Sequence, residues 1–170
     1  AGARAICKSL SISAEQFDNA IEGFTGAARR LEVAIERPQE KFTVFRDFAH
    51  APSKLKATQS GVVGSFPERK VTAVFELHTF SSLNKEFLPQ YASSMDSVHK
   101  AIVFYDPKVV EHKRLPAISI QEVKDAFGRE DLEVITSVNS LEKRINAIPK
   151  ENHCVLMMSS GRFGGAEIPQ

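Results

Sequence analysis

Asp47 and His50 close the stretch Phe42-Thr-Val-Phe-Arg-Asp47-Phe48-Ala-His50-Ala-Pro52, and their types suit work on a phosphate-bearing ligand or a reacting amine. Phe42 to Arg46 has the alternation and the aromatic and β-branched content of a half-buried strand. Pro52 suits a first helical turn, where a missing N–H costs nothing, so Ser53 to Gly64 reads as a helix. A carboxylate and an imidazole at a strand end, beside exposed helical N–H groups, can hold an anion. They equally suit a plain turn in which Asp47 caps the helix and His50 is solvated. Arg29-Arg30 could grip a phosphate with a guanidinium fork or form an ordinary surface pair. His78, at another strand end, could bind a substrate carboxylate or bond the next loop. Gly161-Arg162-Phe-Gly-Gly165 follows a strand as either a ligand loop or a structural turn.

The composition removes several classes. The chain has 170 residues, 42% hydrophobic and 25% charged, with net charge +1 from 22 basic and 21 acidic side chains. That balance suits a soluble globular protein and gives no field to attract nucleic acid or a membrane surface. No apolar run approaches the roughly 20 residues of a membrane span, and the N-terminus lacks a signal-peptide core. Cys7 and Cys154 lie far apart in apolar runs without ligand spacing, and both read as reduced core residues of a cytoplasmic protein. The five histidines show no metal-binding spacing. No phosphate-cradling G-x-x-x-x-G-K-[ST] occurs; Ser159 and Ser160 lack a nucleophile elbow, and Cys154 is mid-strand.

The elements that must position these residues follow from periodicity. Residues 3–10 are amphipathic, and Ser13 with Gln16 forms a capping box ahead of Phe17, Ala20, Ile21 and Phe24 at helical spacing. Near Gly26 the pattern changes, which marks a domain boundary. Leu31, Val33 and Ile35 alternate up to Pro38, and a polar turn to Lys41 predicts an antiparallel hairpin with the Phe42 strand. Val71 to Leu77 is a continuous apolar run, expected of a parallel strand buried on both faces. A helix is expected from Ser82 to Met95, burying Leu83, Phe87, Leu88 and Tyr91, then a strand from Lys100 to Tyr105. A helical turn through Val109 and Val110, a capping box of Ser119 with Glu122, a strand from Leu132 to Thr136, a helix capped by Asn139 and a strand from Cys154 to Met158 complete the chain. The alternation predicts a Rossmann-like three-layer αβα domain, mostly parallel, with an N-terminal antiparallel hairpin. Asp47 to Pro52, His78 to Ser82 and Ser159 to Gly165 all fall at carboxyl ends of strands, so they should meet on one rim.

Taken together, Phe24-x-Gly26-x-x-Arg29-Arg30-Leu-Glu32, Asp47-Phe-Ala-His50-Ala-Pro52 and Met158-Ser-Ser-Gly-Arg-Phe-Gly-Gly165 resemble the C-terminal domain of the Mur ligases, ATP-dependent amide-forming enzymes of bacterial peptidoglycan synthesis. The resemblance covers essentially the whole chain. It implies that residues 1–27 are terminal helices of a preceding ATP-binding domain and 28–170 the C-terminal domain, with N-terminal and central domains on the same polypeptide. Within the family, these motifs look most like members that join UDP-N-acetylmuramate to L-alanyl-γ-D-glutamyl-meso-diaminopimelate in peptidoglycan recycling; members that add L-alanine are the rival. A non-catalytic Rossmann-like binding module is the alternative of another class. The resemblance implies ATP and Mg2+ as cofactors, held mainly by the central domain, Arg30 at the nucleotide phosphates, and Asp47, Phe48 and His50 facing the nucleotide and reacting centre, with Asp47 and His50 as catalytic residues. It implies His78, Ser81 and Arg162 as substrate-binding residues. Thr79 stands where the alanine-adding members have an arginine, and Ala51 where many relatives have a second histidine.

Overall fold

The computed structural model describes residues 2–23 and 28–167. The boundary expected near Gly26, and Phe24 with it, lie outside the described residues. Helices α1 (Gly2–Ser9) and α2 (Ala14–Glu22) bury none of their residues. Arg4 ion-pairs with Asp18 and lies over the Phe17 ring, tying the two helices together. The capping box of Ser13 and Gln16 opens α2 as expected. Cys7 in α1 is only partly covered, whereas Cys154 is buried, so one of the two expected core cysteines is not in the core.

The remainder is one six-stranded sheet in the order β1-β2-β6-β3-β4-β5. Strands β1 (Glu32–Arg37) and β2 (Phe42–Asp47) form the antiparallel hairpin, and β3 (Lys70–Glu76), β4 (Lys100–Phe104), β5 (Glu133–Ile135) and β6 (His153–Met158) run parallel to β2. The apolar run of β3 divides by alternation: Val71, Ala73 and Phe75 enter one core, and Val74 the other. β6 behaves likewise, with Cys154, Leu156 and Met158 on one face and Val155 and Met157 on the opposite one.

Handedness decides which helix covers which face. The path β2, β3, β4, β5 moves across the sheet in one direction, and β5 to β6 comes back across it. Right-handed crossovers therefore require opposite faces. Leu55 and Val62 of α3 (Pro52–Ser65) and Val123 and Phe127 of α5 (Ile120–Phe127) pack in the first core. Leu141 and Ile145 of α6 (Val138–Asn146) pack in the second. The short α4 (Pro107–His112) adds Val110 to the first core.

Two further expectations need correction. No helix spans 82–95: the segment is a chain of turns with one 3-10 turn, Leu88–Tyr91. The Asn84 side chain accepts the Glu86 N–H at 2.7 Å, and Pro89, lacking an N–H, cannot bond back to the preceding turn, so the backbone cannot wind continuously. The expected apolar residues are still inward, and Tyr91 stacks on Phe127 at 5.2 Å. The α6 cap is Ser137, which accepts from the Ser140 N–H, rather than Asn139. Among the described residues no helix is long and apolar enough to cross a membrane.

Candidate functional site

The connections leaving β2 and β6 depart to opposite faces, α3 to the first core and Phe163 to the second, so a crevice opens between neighbouring carboxyl ends. A cleft of about 420 Å3 lies there, lined by Arg29, Glu32, Arg46, Asp47, Arg162 and Phe163 among others. The three expected polar segments do meet: the Ser159 N–H donates to the Asp47 carbonyl, and the Ser159 hydroxyl donates to Glu76 at the end of β3.

Asp47 does not cap α3, whose N-cap is Ala51 without a side-chain bond. Its Oδ2 accepts the Leu31 N–H at 2.8 Å, and Oδ1 accepts from Ala49 N–H at 2.7 Å and the Thr58 hydroxyl at 3.3 Å. Glu32 accepts the Arg29 N–H at 2.9 Å. Two carboxylates thus hold a loop in which Arg29 and Leu31 take φ of 57° and 50°, a left-handed conformation that costs a non-glycine residue energy. What the loop presents is the arginine pair. Both guanidinium groups lie over the Phe48 ring, Arg29 at 5.5 Å and Arg30 at 5.2 Å. Arg29 also donates to the carbonyls of Gly161 and Ser159, so it, rather than Arg30, lines the cleft. With Arg46 and Arg162 it forms a basic lining suited to an anion.

His50 sits beside this platform, its ring edge-on to Phe48 at 5.2 Å. A carbonyl can only accept, so the 2.9 Å contact between His50 Nδ1 and the Phe48 carbonyl places a proton on Nδ1 and leaves Nε2 as the lone-pair nitrogen of the neutral ring. The His50 carbonyl accepts the Tyr91 hydroxyl at 2.7 Å; burial pushes the Tyr91 phenol up, which keeps that donor protonated.

On the β3 side the organising group is Glu76, only 4% exposed. Its Oε2 accepts the Ser159 hydroxyl and the Phe163 N–H at 2.8 Å, and Oε1 faces His78 Nδ1 at 3.5 Å. Gly161 is packed so closely that an added Cβ would lie 2.7 Å from Glu76 Oε2 and 2.8 Å from His78 Cγ. Ser81 is exposed on the turn that follows, 3.1 Å from the Thr79 hydroxyl and away from the cleft. Thr79 accepts the Ser82 N–H and donates to its hydroxyl, so it cannot stand in for a cation. Sequence reasoning placed no weight on Glu76, Arg46 or the packing of Gly161. The available signal was Glu76 itself, the one ionisable residue inside the apolar run Val71 to Leu77, since a buried charge requires partners.

A mostly parallel sheet with helices on both faces and a crevice at its carboxyl edge defines a Rossmann-like domain. The model of the family described as Mur ligase, glutamate ligase domain, matches residues 29–161, and the chain belongs to this family. A UDP-N-acetylmuramate–L-alanine ligase of Salinibacter ruber is 27% identical over 159 residues, 92% of this chain and 33% of the relative. The chain thus spans about a third of the curated relative's length. Among solved structures, a UDP-N-acetylmuramate–alanine ligase of Thermotoga maritima superposes with TM-score 0.73 and 20% identity, covering 95% of this chain and 33% of that one. A murein peptide ligase of Psychrobacter arcticus superposes with TM-score 0.65 and 21% identity, covering 96% and 34%. At these identities the superpositions speak for the fold.

Proposed function

We propose that this chain supplies the closing C-terminal domain of an ATP-dependent amide ligase that joins UDP-N-acetylmuramate to L-alanyl-γ-D-glutamyl-meso-diaminopimelate. The observation that carries the reading is one rim with two different halves: a cationic half, Arg29, Arg30, Phe48 and Arg162, and an imidazole half, His78 backed by Glu76. In such a reaction ATP phosphorylates the muramate carboxylate, the amine attacks the acyl phosphate, and phosphate departs from a tetrahedral intermediate. The arginines offset the phosphate charge, and domain closure brings both halves to the reacting atoms, so the contribution is electrostatic and orientational.

The expected division of the chain fits this picture. Ile6 on α1, Ile21 on α2 and Leu10 in the turn after α1 are exposed, and the two helices form no core here; apolar faces of this kind suit the terminal helices of a preceding domain within 1–27, with 28–170 as the closing domain. In this reading ATP and Mg2+ are held mainly by the other domains. Thr79, bonded to Ser82, supplies no charge at the position where the alanine-adding members have an arginine.

Phosphate release by the full-length protein, given ATP, Mg2+ and UDP-N-acetylmuramate, should rise with the tripeptide and not with L-alanine; the reverse preference overturns the substrate assignment. The chain alone should release none, and measurable turnover by it would overturn the domain assignment.

A further inference from the structure

We infer that Glu76 is a positioning residue that makes His78 the acceptor for the proton an incoming amine must shed before it attacks; this rests on the ligase reading above. Glu76 ends β3 with its carboxylate buried. Two donors, the Ser159 hydroxyl and the Phe163 N–H, occupy Oε2, which leaves Oε1 to face His78 Nδ1 at 3.5 Å. The Cγ–Nδ1 edge of the imidazole is pressed over Gly161, where a Cβ would lie 2.8 Å from Cγ and 2.9 Å from Nδ1. One edge of the ring is therefore held against Glu76 and Gly161, and 39% of the side chain is exposed. A carboxylate opposite Nδ1 keeps the proton of the neutral ring on Nδ1 and leaves the Nε2 lone pair free. The arrangement needs glycine at 161 for space alone.

The chemistry requires such an acceptor, because an ammonium group has no lone pair to attack with. His78 Nε2 takes one proton from the ammonium, with the Glu76 carboxylate facing the opposite ring nitrogen. The neutral amine attacks the acyl carbon and a C–N bond forms. The C–O bond to phosphate then breaks, its electron pair leaves on phosphate, and the second proton lost by nitrogen goes with it.

Glu76→Gln in the full-length protein tests this. The Ser159 and Phe163 donors hold the amide oxygen at the Oε2 position, which turns the amide NH2 toward His78 Nδ1 and moves the imidazole proton to Nε2. Phosphate release is compared between the tripeptide (L-alanine if the intact protein prefers it) and hydroxylamine, a weak base that is already neutral near pH 7. The ratio of the two rates should fall about 100-fold, the usual scale of general-base catalysis. An unchanged ratio, including an equal loss with both nucleophiles as a purely structural role would give, overturns the inference. Should Glu76→Gln fail to fold, His78→Asn, at a half-exposed position, carries the same comparison and the same two outcomes. Wild-type protein that releases no phosphate with either nucleophile overturns the ligase reading itself, a distinct result.

Discussion

Ser159 and Glu76, 83 residues apart in the chain, are joined by a buried hydrogen bond from the Ser159 hydroxyl to Glu76 Oε2. The bond ties the loop after β6 to the end of β3, and the same carboxylate oxygen holds the Phe163 N–H. The loop after β6 is thereby fixed to the sheet beside His78.

Removing this carboxylate leaves the Phe163 N–H buried without a partner and the Ser159 hydroxyl without its acceptor. Glu76→Ala should lower stability by about 2 kcal/mol, the scale of an orphaned buried donor. Glu76→Gln, which can still accept both bonds, should recover most of it. Urea unfolding of the three proteins checks this, and equal midpoints for Glu76→Ala and wild type would show that the network contributes nothing.

Gly161→Ala places a methyl group 2.7 Å from Glu76 Oε2 and 2.9 Å from His78 Nδ1. Glu76 is enclosed and His78 is half-exposed, so the imidazole is the group that yields. Stability should fall by about 1 kcal/mol, the lower end for an overpacked site, while amide formation by the intact enzyme falls tenfold or more. Melting temperature and kcat measured together decide it; wild-type kcat would sink the idea.

Phe48 is the surface on which both arginines rest, at 5.5 and 5.2 Å. A partly exposed cation–π pair is worth about 1 kcal/mol, so Phe48→Ala in the intact protein should raise KM for ATP about fivefold with little change in melting temperature. An unaltered KM would remove the arginine platform from nucleotide binding.

His153 is 3% exposed, with Nε2 2.8 Å from the Thr72 hydroxyl. Burial, with smaller contributions from His99 and Lys70, pushes its imidazole down from 6.5 to about 4. The unfolded chain then binds the proton more readily than the folded one, so the stability present above about pH 6.5 is lost as pH falls toward 4. Glu122, held to about 2 mainly by Lys85, and Asp131, held to about 2 mainly by Arg129, lose their contributions only below the ordinary carboxylate range of about 4. Urea midpoints between pH 7 and 4 should decline for wild type and stay flatter for His153→Gln; parallel curves would exclude His153 as the cause.

Local chemistry was legible along most of the chain. The β1–β2 hairpin, the two capping boxes and the start of α3 at Pro52 were readable because each is set by neighbours within a few residues: alternation, a hydroxyl three positions from a carboxylate or amide, and a ring with no N–H. The segment 82–95 misled because Leu83, Leu88 and Tyr91 carry the spacing of a helical face, while Asn84 and Pro89 divert the backbone and aromatic packing buries the same side chains from a series of turns.

By itself the sequence determined the αβ alternation, the family motifs and the fact that three polar segments end strands. It could not place β6 between β2 and β3, and that insertion brings Ser159 to Asp47 on one side and to Glu76 on the other. Nor could it choose Arg29 over Arg30 for the cleft, or turn Glu76 from one charge in an apolar run into the anchor of His78 and the terminal loop. The bonds that tie Ser159 to Glu76 and Arg29 to Gly161 join residues 83 and 132 positions apart, which local spacing does not encode and only the assembled sheet brings together.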